Sequence, residues 1–117
     1  MINLRLPWPP TVNSYYGNAK NGRKYLTKRG RDYKKDAALE VMGQTYLRQY
    51  GRLEVNIDAY PPDKRKRDID NILKPLLDVL TECYVWEDDS QIDVLRIRRK
   101  EISKPGYVRV HISEIPE

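Results

Sequence analysis

The sequence contains little cysteine or histidine and no long hydrophobic run. Cys83 is the only cysteine, so no disulfide can form within the chain, and we interpret it as a small core residue at a helix end. His111 is the only histidine, and its alternating surroundings indicate a surface strand residue rather than a ligand. No segment approaches the apolar length of a membrane span, and the N-terminus lacks a signal-peptide pattern. We therefore expect a cytoplasmic protein that does not contact membranes.

The charge of the chain is strongly basic and locally concentrated. A length of 117 residues is typical of one domain, which we expect to span residues 1–117. The formal net charge is +5 and the isoelectric point is near 9.3. Basic residues cluster in residues 20–35, 64–67 and 96–100. Three separated clusters favour a surface that follows a nucleic-acid backbone, ahead of a membrane surface or an acidic protein.

Four segments are predicted to form strands, and three of them, all but residues 92–102, alternate apolar and polar residues with the period of a half-buried strand. They are residues 2–6, 53–60, 92–102 and 107–113. Lys104, Pro105 and Gly106 form a turn signal between the last two segments, which predicts that those strands pair as a hairpin. Residues 7–26 are rich in Pro, Asn, Gly and Lys and are predicted to form a long functional loop.

Apolar spacing predicts a first helix over residues 28–50. Thr27 is its predicted N-cap, and Gly51 is its predicted C-terminal stop.

A second helix carries an apolar stripe over residues 69–80. Pro75 is tolerated only in a first helical turn, so we place the start at Asp70 or Asn71, either of which would be the N-cap. The stripe is either monomer core or part of a dimer interface. The order strand, helix, strand, helix, strand, strand predicts an α/β (α+β) domain with a small mixed sheet of about four strands and two main helices.

Residues 61–74 place cations directly beside carboxylates, between a predicted strand and a predicted helix. Four cations, residues 64–67, run into Asp68 and Asp70. Cations attract a phosphate backbone and carboxylates repel it, so the combination favours a divalent metal between the carboxylates and a phosphate. Mg²⁺ is commonly held by one or two carboxylates and substrate phosphate oxygens. The alternative is a solvated charge run whose ions pair with each other.

Further charged residues could complete such a site. Asp88 and Asp89 supply carboxylates from a distant loop, and Lys74 lies four residues after Asp70, where a helix would project it beside that carboxylate. Lys74 could then stabilise charge that develops at a reacting phosphate. The structural alternatives are an ion pair of Lys74 with Asp70 or Asp78, and a turn cap formed by Asp88 and Asp89.

Three motif segments form a specific combination. They are Leu-Pro-Trp-Pro-Pro at residues 6–10, Arg-Asp-Ile-Asp-Asn at residues 67–71 followed by Lys74, and Trp-Glu-Asp-Asp-Ser-Gln at residues 86–91. With these segments the chain resembles the RusA-type Holliday junction resolvases over nearly its whole length. The resemblance implies a small mixed α/β fold, a homodimer and Mg²⁺-dependent endonuclease activity, with Mn²⁺ as a substitute.

The resemblance also implies roles for individual residues. Asp68, Asp70 and Asp89 would bind metal, Asp88 would assist them, and Lys74 would be the catalytic lysine. The cations expected to contact DNA are Arg65, Lys66, Arg67 and Lys74, to which we add Lys24, Lys28 and Arg29 from the first basic cluster.

The expected function is paired, symmetric nicking of four-way DNA junctions in recombination and repair. A twofold dimer would present two identical sites to the two strands that are cut. Three other hypotheses remain: a non-catalytic DNA-binding module, a metal-dependent nuclease without junction preference, and an RNA-acting enzyme.

Overall fold

The most regularly alternating strand of the sequence lies inside the sheet of the protein. In the computed structural model, which describes residues 1–44 and 47–116, Leu53–Tyr60 alternates fully buried and half-buried residues along its length. The helices and strands, in chain order, are β1 (Ile2–Pro7), α1 (Val12–Tyr15), β2 (Tyr16–Asn18), β3 (Lys24–Leu26), α2 (Lys28–Met42), β4 (Leu53–Tyr60), α3 (Leu73–Glu82), β5 (Ile92–Arg99) and β6 (Tyr107–Glu114). Single 3₁₀ turns at Ile69–Ile72 and Asp89–Gln91 precede α3 and β5.

Four strands form one mixed sheet in the order β1-β6-β4-β5. β6 is antiparallel to both β1 and β4, whereas β5 is parallel to β4. One face of the sheet packs against α2 and α3 through a shared core that includes Leu6, Ile57, Val110, Val41 and Leu76. The predicted fold class, a mixed α/β domain with a four-stranded sheet and two main helices, is therefore confirmed. No helix among the described residues is long and apolar enough to cross a membrane.

The predicted hairpin of the last two strands is wrong, because β4 lies between them. The turn itself exists, and Gly106 adopts a φ of +92° within it, but residues 100–106 cross the end of β4 instead of joining paired strands. Lys100 and Ser103 donate backbone hydrogen bonds to the carbonyls of Ala59 and Pro61 during this crossing. β5 ends at Arg99, before the predicted residue 102, and its exposed arginines suit the edge position.

The predicted long loop at residues 7–26 is also wrong. It contains the short helix α1 and a small antiparallel hairpin of β2 and β3. Elements of three or four residues are too short to produce a periodic pattern in sequence, which explains why they were not predicted.

The first predicted helix is shorter than expected. α2 ends at Met42, and Gly43 follows with its N–H bonded to the Leu39 carbonyl. Met42, the last residue of α2, is apolar but 79% exposed, so the core does not require the helix to continue. Gln49 pairs with Trp86 as an isolated bridge, Gly51 belongs to the turn before β4, and the prediction at positions 45–46 lies outside the described residues.

The predicted N-cap of α2 is confirmed and also joins two parts of the fold. Thr27 Oγ1 accepts a hydrogen bond from the Gly30 N–H at 3.0 Å and donates one to the Ser14 carbonyl at 2.5 Å. Gly30 is buried against the Tyr15 backbone, so α1 and α2 approach each other where no side chain intervenes.

Gly30→Ala should therefore destabilise the protein. A Cβ at this position would overlap the carbonyl oxygen of Tyr15, which is backbone and cannot move aside without shifting α1. We expect the free energy of unfolding to fall by about 1–3 kcal/mol in urea denaturation. Gly43→Ala is the matched control: its Cβ would make ordinary contacts of 3.6 and 3.7 Å, so a change within about 1 kcal/mol is expected. Equal effects of the two substitutions would contradict the close-approach explanation.

Candidate functional site

The loop that follows β4 is held in shape by the side chain of Arg67. Its Nη2 lies 2.8 Å from Asp63 Oδ1, and its Nη1 donates to the carbonyls of Asp63 and Arg65, each at 3.2 Å. The guanidinium also lies over the Trp8 ring, 5.8 Å from its centroid. The backbone N–H of Arg65 and the side chain of Arg67 hold the pKa of Asp63 below its ordinary value. One arginine thus links the 6–10 motif to the basic motif.

A second arginine supports the same loop from the edge strand. Arg99, the last residue of β5, donates from Nη2 to the Arg67 carbonyl at 2.6 Å. This carbonyl immediately precedes Asp68. The sequence placed Arg99 in a basic cluster, but no spacing rule connects it to a loop 32 residues earlier.

Asp68 and Asp70 lie at the start of the 3₁₀ turn that leads into α3. Asp68 is extended, with φ −85° and ψ 123°, whereas Asp70 is inside the turn. The prediction that Asp70 or Asn71 caps the helix is wrong: the residue before α3 is Ile72, which is already helical and makes no side-chain cap. The 3₁₀ turn runs directly into the α-helix, so neither polar side chain is used as a cap. Pro75 lies in the first turn of α3, as expected.

Lys74 pairs with Asp78 rather than projecting beside Asp70. Its Nζ lies 3.2 Å from both carboxylate oxygens of Asp78. Asp70 precedes α3, so the helical four-residue spacing does not apply to it.

Asp78 is the acidic residue of this region that sequence reasoning considered only as an ion-pair partner. Burial raises its pKa to about 6, and the nearby charges of Asp89 and Glu82 add to the increase. The Lys74 side chain is 60% exposed, so its attraction is screened and does not reverse this shift. The structure therefore brings Lys74, Asp78 and Asp89 into one electrostatic group, although they come from two separate elements.

The Asp88–Asp89 segment is built as a capped turn. Hydrogen bonds from the Ser90 side chain and from the Ser90 N–H, the latter at 3.0 Å, lower the pKa of Asp88. Gln91 Oε1 accepts from the Asp88 N–H at 3.0 Å. The cap alternative for Asp88 is thus confirmed. Trp86, fully buried, donates to Thr81 Oγ1 at 2.6 Å and anchors the segment to α3.

The carboxylates offer the oxygen ligands that Mg²⁺ prefers, but they do not form a closed cage. Within residues 1–44 and 47–116, no three His, Cys, Asp or Glu side chains converge in a group that could hold a metal by itself. Mg²⁺ usually keeps several waters and uses one or two carboxylates plus substrate phosphates. The donor chemistry of Asp68, Asp70 and Asp89 therefore fits a divalent metal whose coordination is completed by water and substrate.

The basic residues share a cleft with the first of these carboxylates. A cleft of about 620 Å³ lies between the Trp8 segment and the basic loop, and Arg29, Arg65, Lys66 and Asp68 are among its lining residues. Two further predicted DNA contacts, Lys24 and Lys28, are exposed at β3 and at the start of α2, where Lys28 pairs with Asp32 at 3.3 Å.

A mixed α/β fold that places cations and carboxylates around one strand-to-helix loop has the features of a nucleic-acid-processing protein. Comparison with known proteins supports this class. The family described as Endodeoxyribonuclease RusA matches residues 7–113. The chain belongs to the RusA family, which confirms the resemblance found in its sequence.

Individual relatives match over nearly the full length. The crossover junction endodeoxyribonuclease rusA of Enterobacteria phage HK97 is 36% identical over 112 residues, which cover 94% of this chain and 92% of that protein. The protein of the same name from Enterobacteria phage 82 is 31% identical over 114 residues, with 97% and 94% covered. The Escherichia coli K12 relative is 30% identical over 116 residues, with the same coverage. The family description and the names of these relatives indicate a nuclease. Nucleases of this kind commonly use a divalent metal.

Asp78→Asn should gain stability relative to the wild type as the pH rises. The folded-state pKa of Asp78, about 6, exceeds its ordinary value of 3.8. As the pH rises from 3.8 to about 6, the Asp78 carboxyl loses its proton in the unfolded chain before it does so in the folded chain. The free energy of unfolding of the wild type therefore falls over this pH range. Asparagine does not ionise, so the melting temperature of the variant minus that of the wild type should be larger near about pH 8 than near about pH 4.

Thermal melts in EDTA test this expectation without metal. Asp36→Asn, on an exposed position of α2, is the matched control. A difference that stays constant or shrinks with rising pH would contradict the assigned environment of Asp78.

Proposed function

We propose that this protein is a structure-selective endodeoxyribonuclease that resolves four-way DNA junctions by paired symmetric nicks, in recombination and repair. The observation that carries the proposal is the loop after β4, where exposed cations line a cleft together with Asp68. Relatives named crossover junction endodeoxyribonucleases match almost the whole chain. Their names are the basis for proposing a DNA junction as the substrate. This function would be exercised in the cytoplasm, where bacterial and phage DNA is processed.

The carboxylates are proposed as the metal ligands. Asp68, Asp70 and Asp89 would hold Mg²⁺, or Mn²⁺ in its place, with Asp88 assisting. When bound, such an ion supplies an activated water and neutralises charge on the phosphate. Asp88 already accepts from Ser90, so its contribution would be to fix the position of Asp89.

The cations are proposed to bind and orient the DNA. Lys74 holds its ammonium at Asp78 in the unbound protein, and on a long exposed side chain this group can move to the leaving oxygen and stabilise its charge. Arg65, Lys66 and Arg67, together with Lys24, Lys28 and Arg29, would contact the junction arms.

A homodimer is proposed because a four-way junction offers two symmetry-related strands. A twofold axis places one site at each strand, so both nicks can occur within one bound complex. Most of the apolar stripe at residues 69–80 is monomer core, since Ile72, Leu76 and Leu80 are buried and Leu73 and Leu77 pack against them. The dimer contact would therefore use other surfaces.

Cleavage of a labelled four-way junction and a matched linear duplex tests the activity. With Mg²⁺ we expect paired nicks in the junction only, and EDTA should abolish them. Asp70→Asn should reduce the rate at least about 100-fold, since loss of a metal ligand removes several kcal/mol of charge stabilisation. Asp36→Asn should cut at the wild-type rate.

Each departure has a distinct meaning. Junction binding without cleavage by the wild type would support the non-catalytic binding module. Equal cutting of both DNAs would contradict junction selectivity, and nicks that appear singly and independently would contradict the dimer.

The salt dependence of junction binding in EDTA tests the basic surface. Each lost phosphate contact lowers the slope of log affinity against log salt by about one. Arg65→Ala should show nearly this full reduction, because the Arg65 side chain is 84% exposed and its contact with Asp63 is long, at 3.6 Å. Arg67→Ala should reduce the slope less, because the Arg67 guanidinium is only 23% exposed and lies 2.8 Å from the Asp63 carboxylate.

Arg52→Ala is the control, since Arg52 pairs with Asp93 at the opposite end of β4. A wild-type affinity that does not change between low and moderate salt would contradict the proposed phosphate contacts altogether.

A further inference from the structure

The cleft beside Asp68 brings together the 6–10 motif and Asn71, to which no role in the proposed function has yet been assigned. One wall is formed by the Trp8–Pro9–Pro10 segment, and the opposite wall includes Asn71 from the 67–71 motif. These segments are about 60 residues apart in sequence, and Arg67, which contacts Trp8, helps to hold them in place. Their meeting at one cleft suggests that both serve the same ligand.

The size of the cleft selects a single nucleotide rather than a duplex. Its volume of about 620 Å³ lies within the roughly 300–1,000 Å³ of sites that enclose small molecules. Duplex DNA, whose major groove alone is about 12 Å wide, is too large to enter it. One base with its sugar is compatible with this space.

The lining has the chemistry needed for a nucleotide. The half-buried Trp8 offers an apolar contact for a base, and Pro9, Pro10 and Ile72 make the floor behind it apolar. Arg29 and Lys66 provide positive charge for the phosphates. Both cations are exposed, so they can reach a bound strand.

Polar groups of the cleft could read the edge of the base. Asn71 is exposed, and its backbone N–H is bonded to the Asp68 carbonyl, which fixes its position next to that carboxylate. Its side chain caps neither the 3₁₀ turn nor α3, so the fold does not use the amide for capping. Ser14 and Thr11 add hydroxyl groups, which bond to each other at 3.1 Å. Amides and hydroxyls are common partners for base edges.

We propose that this cleft receives one unstacked nucleotide of the branched DNA, next to the phosphate presented at Asp68. This inference rests on the proposed function and adds a reason for junction selectivity. Extruding a base costs a few kcal/mol in a paired duplex and least where pairing is already interrupted. A branch point can therefore fill the cleft at low cost, whereas an intact duplex cannot.

Fluorescence of 2-aminopurine, which increases on unstacking, provides the test. The base is placed either at the branch point or in the middle of an arm of a four-way junction, and the wild-type protein is added in EDTA so that no cleavage occurs. We expect about a twofold or larger rise at the branch point only. Ser14→Phe, which fills the cleft, should abolish the rise, and Asn71→Ala should reduce it.

The controls separate this inference from folding defects. Ser113→Phe, a matched substitution on β6, should respond like the wild type. Each variant is first checked by thermal melting; if Ser14→Phe does not fold, Asn71→Ala carries the test. An unchanged response in folded Asn71→Ala and Ser14→Phe would overturn the proposal.

Two further outcomes would also overturn it, and each can be told apart from failure of the proposed function. If the junction binds and is cut with Mg²⁺ but 2-aminopurine does not respond at the branch point, the cleft inference fails while the nuclease assignment stands. If dAMP alone raises the melting temperature of the wild type but not of Asn71→Ala, and the junction gives no response, the cleft binds a free nucleotide instead. Absence of both binding and cleavage would remove the proposed function itself.

Discussion

The guanidinium of Arg67 fixes the relation between the two halves of the site. It bonds to the Asp63 carboxylate and to two carbonyls of its own loop, and it lies over the ring of Trp8. Its side chain is only 23% exposed, so these interactions are less screened by water than those of a surface pair. Arg99 then holds the carbonyl that precedes Asp68. A loop that would otherwise move freely therefore forms a fixed wall between the sheet and the cleft.

The sequence predicted the elements that the core defines and failed where other forces decide. The alternation at residues 53–60 and the apolar spacing before residue 43 reflect burial, so β4 and most of α2 were predicted. The partner of each strand is a tertiary choice: β5 joins the edge of β4 because its arginines tolerate solvent, and a turn signal at residues 104–106 cannot reveal this. Likewise, Asp70 lies inside the 3₁₀ turn before α3 and therefore does not cap the helix. A turn this short produces no periodic pattern in the sequence, so it was not predicted.

The site was predicted in its residue types better than in its contacts. Runs of Asp and Arg mark a phosphate-handling surface, but identical side chains in such a run have different uses. Asp63 and Asp88 accept hydrogen bonds within their own loops, and these bonds lower the pKa of both. The main donor is the Arg65 N–H for Asp63 and the Ser90 side chain for Asp88. Asp78 is a half-buried residue of α3, and its pKa is raised by burial and by the nearby charge of Asp89. These differences depend on which N–H groups and charges surround each carboxylate, and only the fold supplies that information.

The same difference in use explains how a basic protein can keep carboxylates at the surface where we propose that DNA binds. Other acids have basic partners within the chain, as Asp63 has in Arg67 and Asp78 has in Lys74. Asp68 and Asp70 are instead exposed beside the cations that would receive the backbone. Like charges on phosphate and carboxylate repel each other, so these acids are compatible with bound DNA only when a cation lies between them. In the proposed site, a divalent ion would balance the carboxylates while the cations bind the phosphates. The open arrangement of the acids fits that proposal, because a closed cage would leave no coordination position for the phosphate.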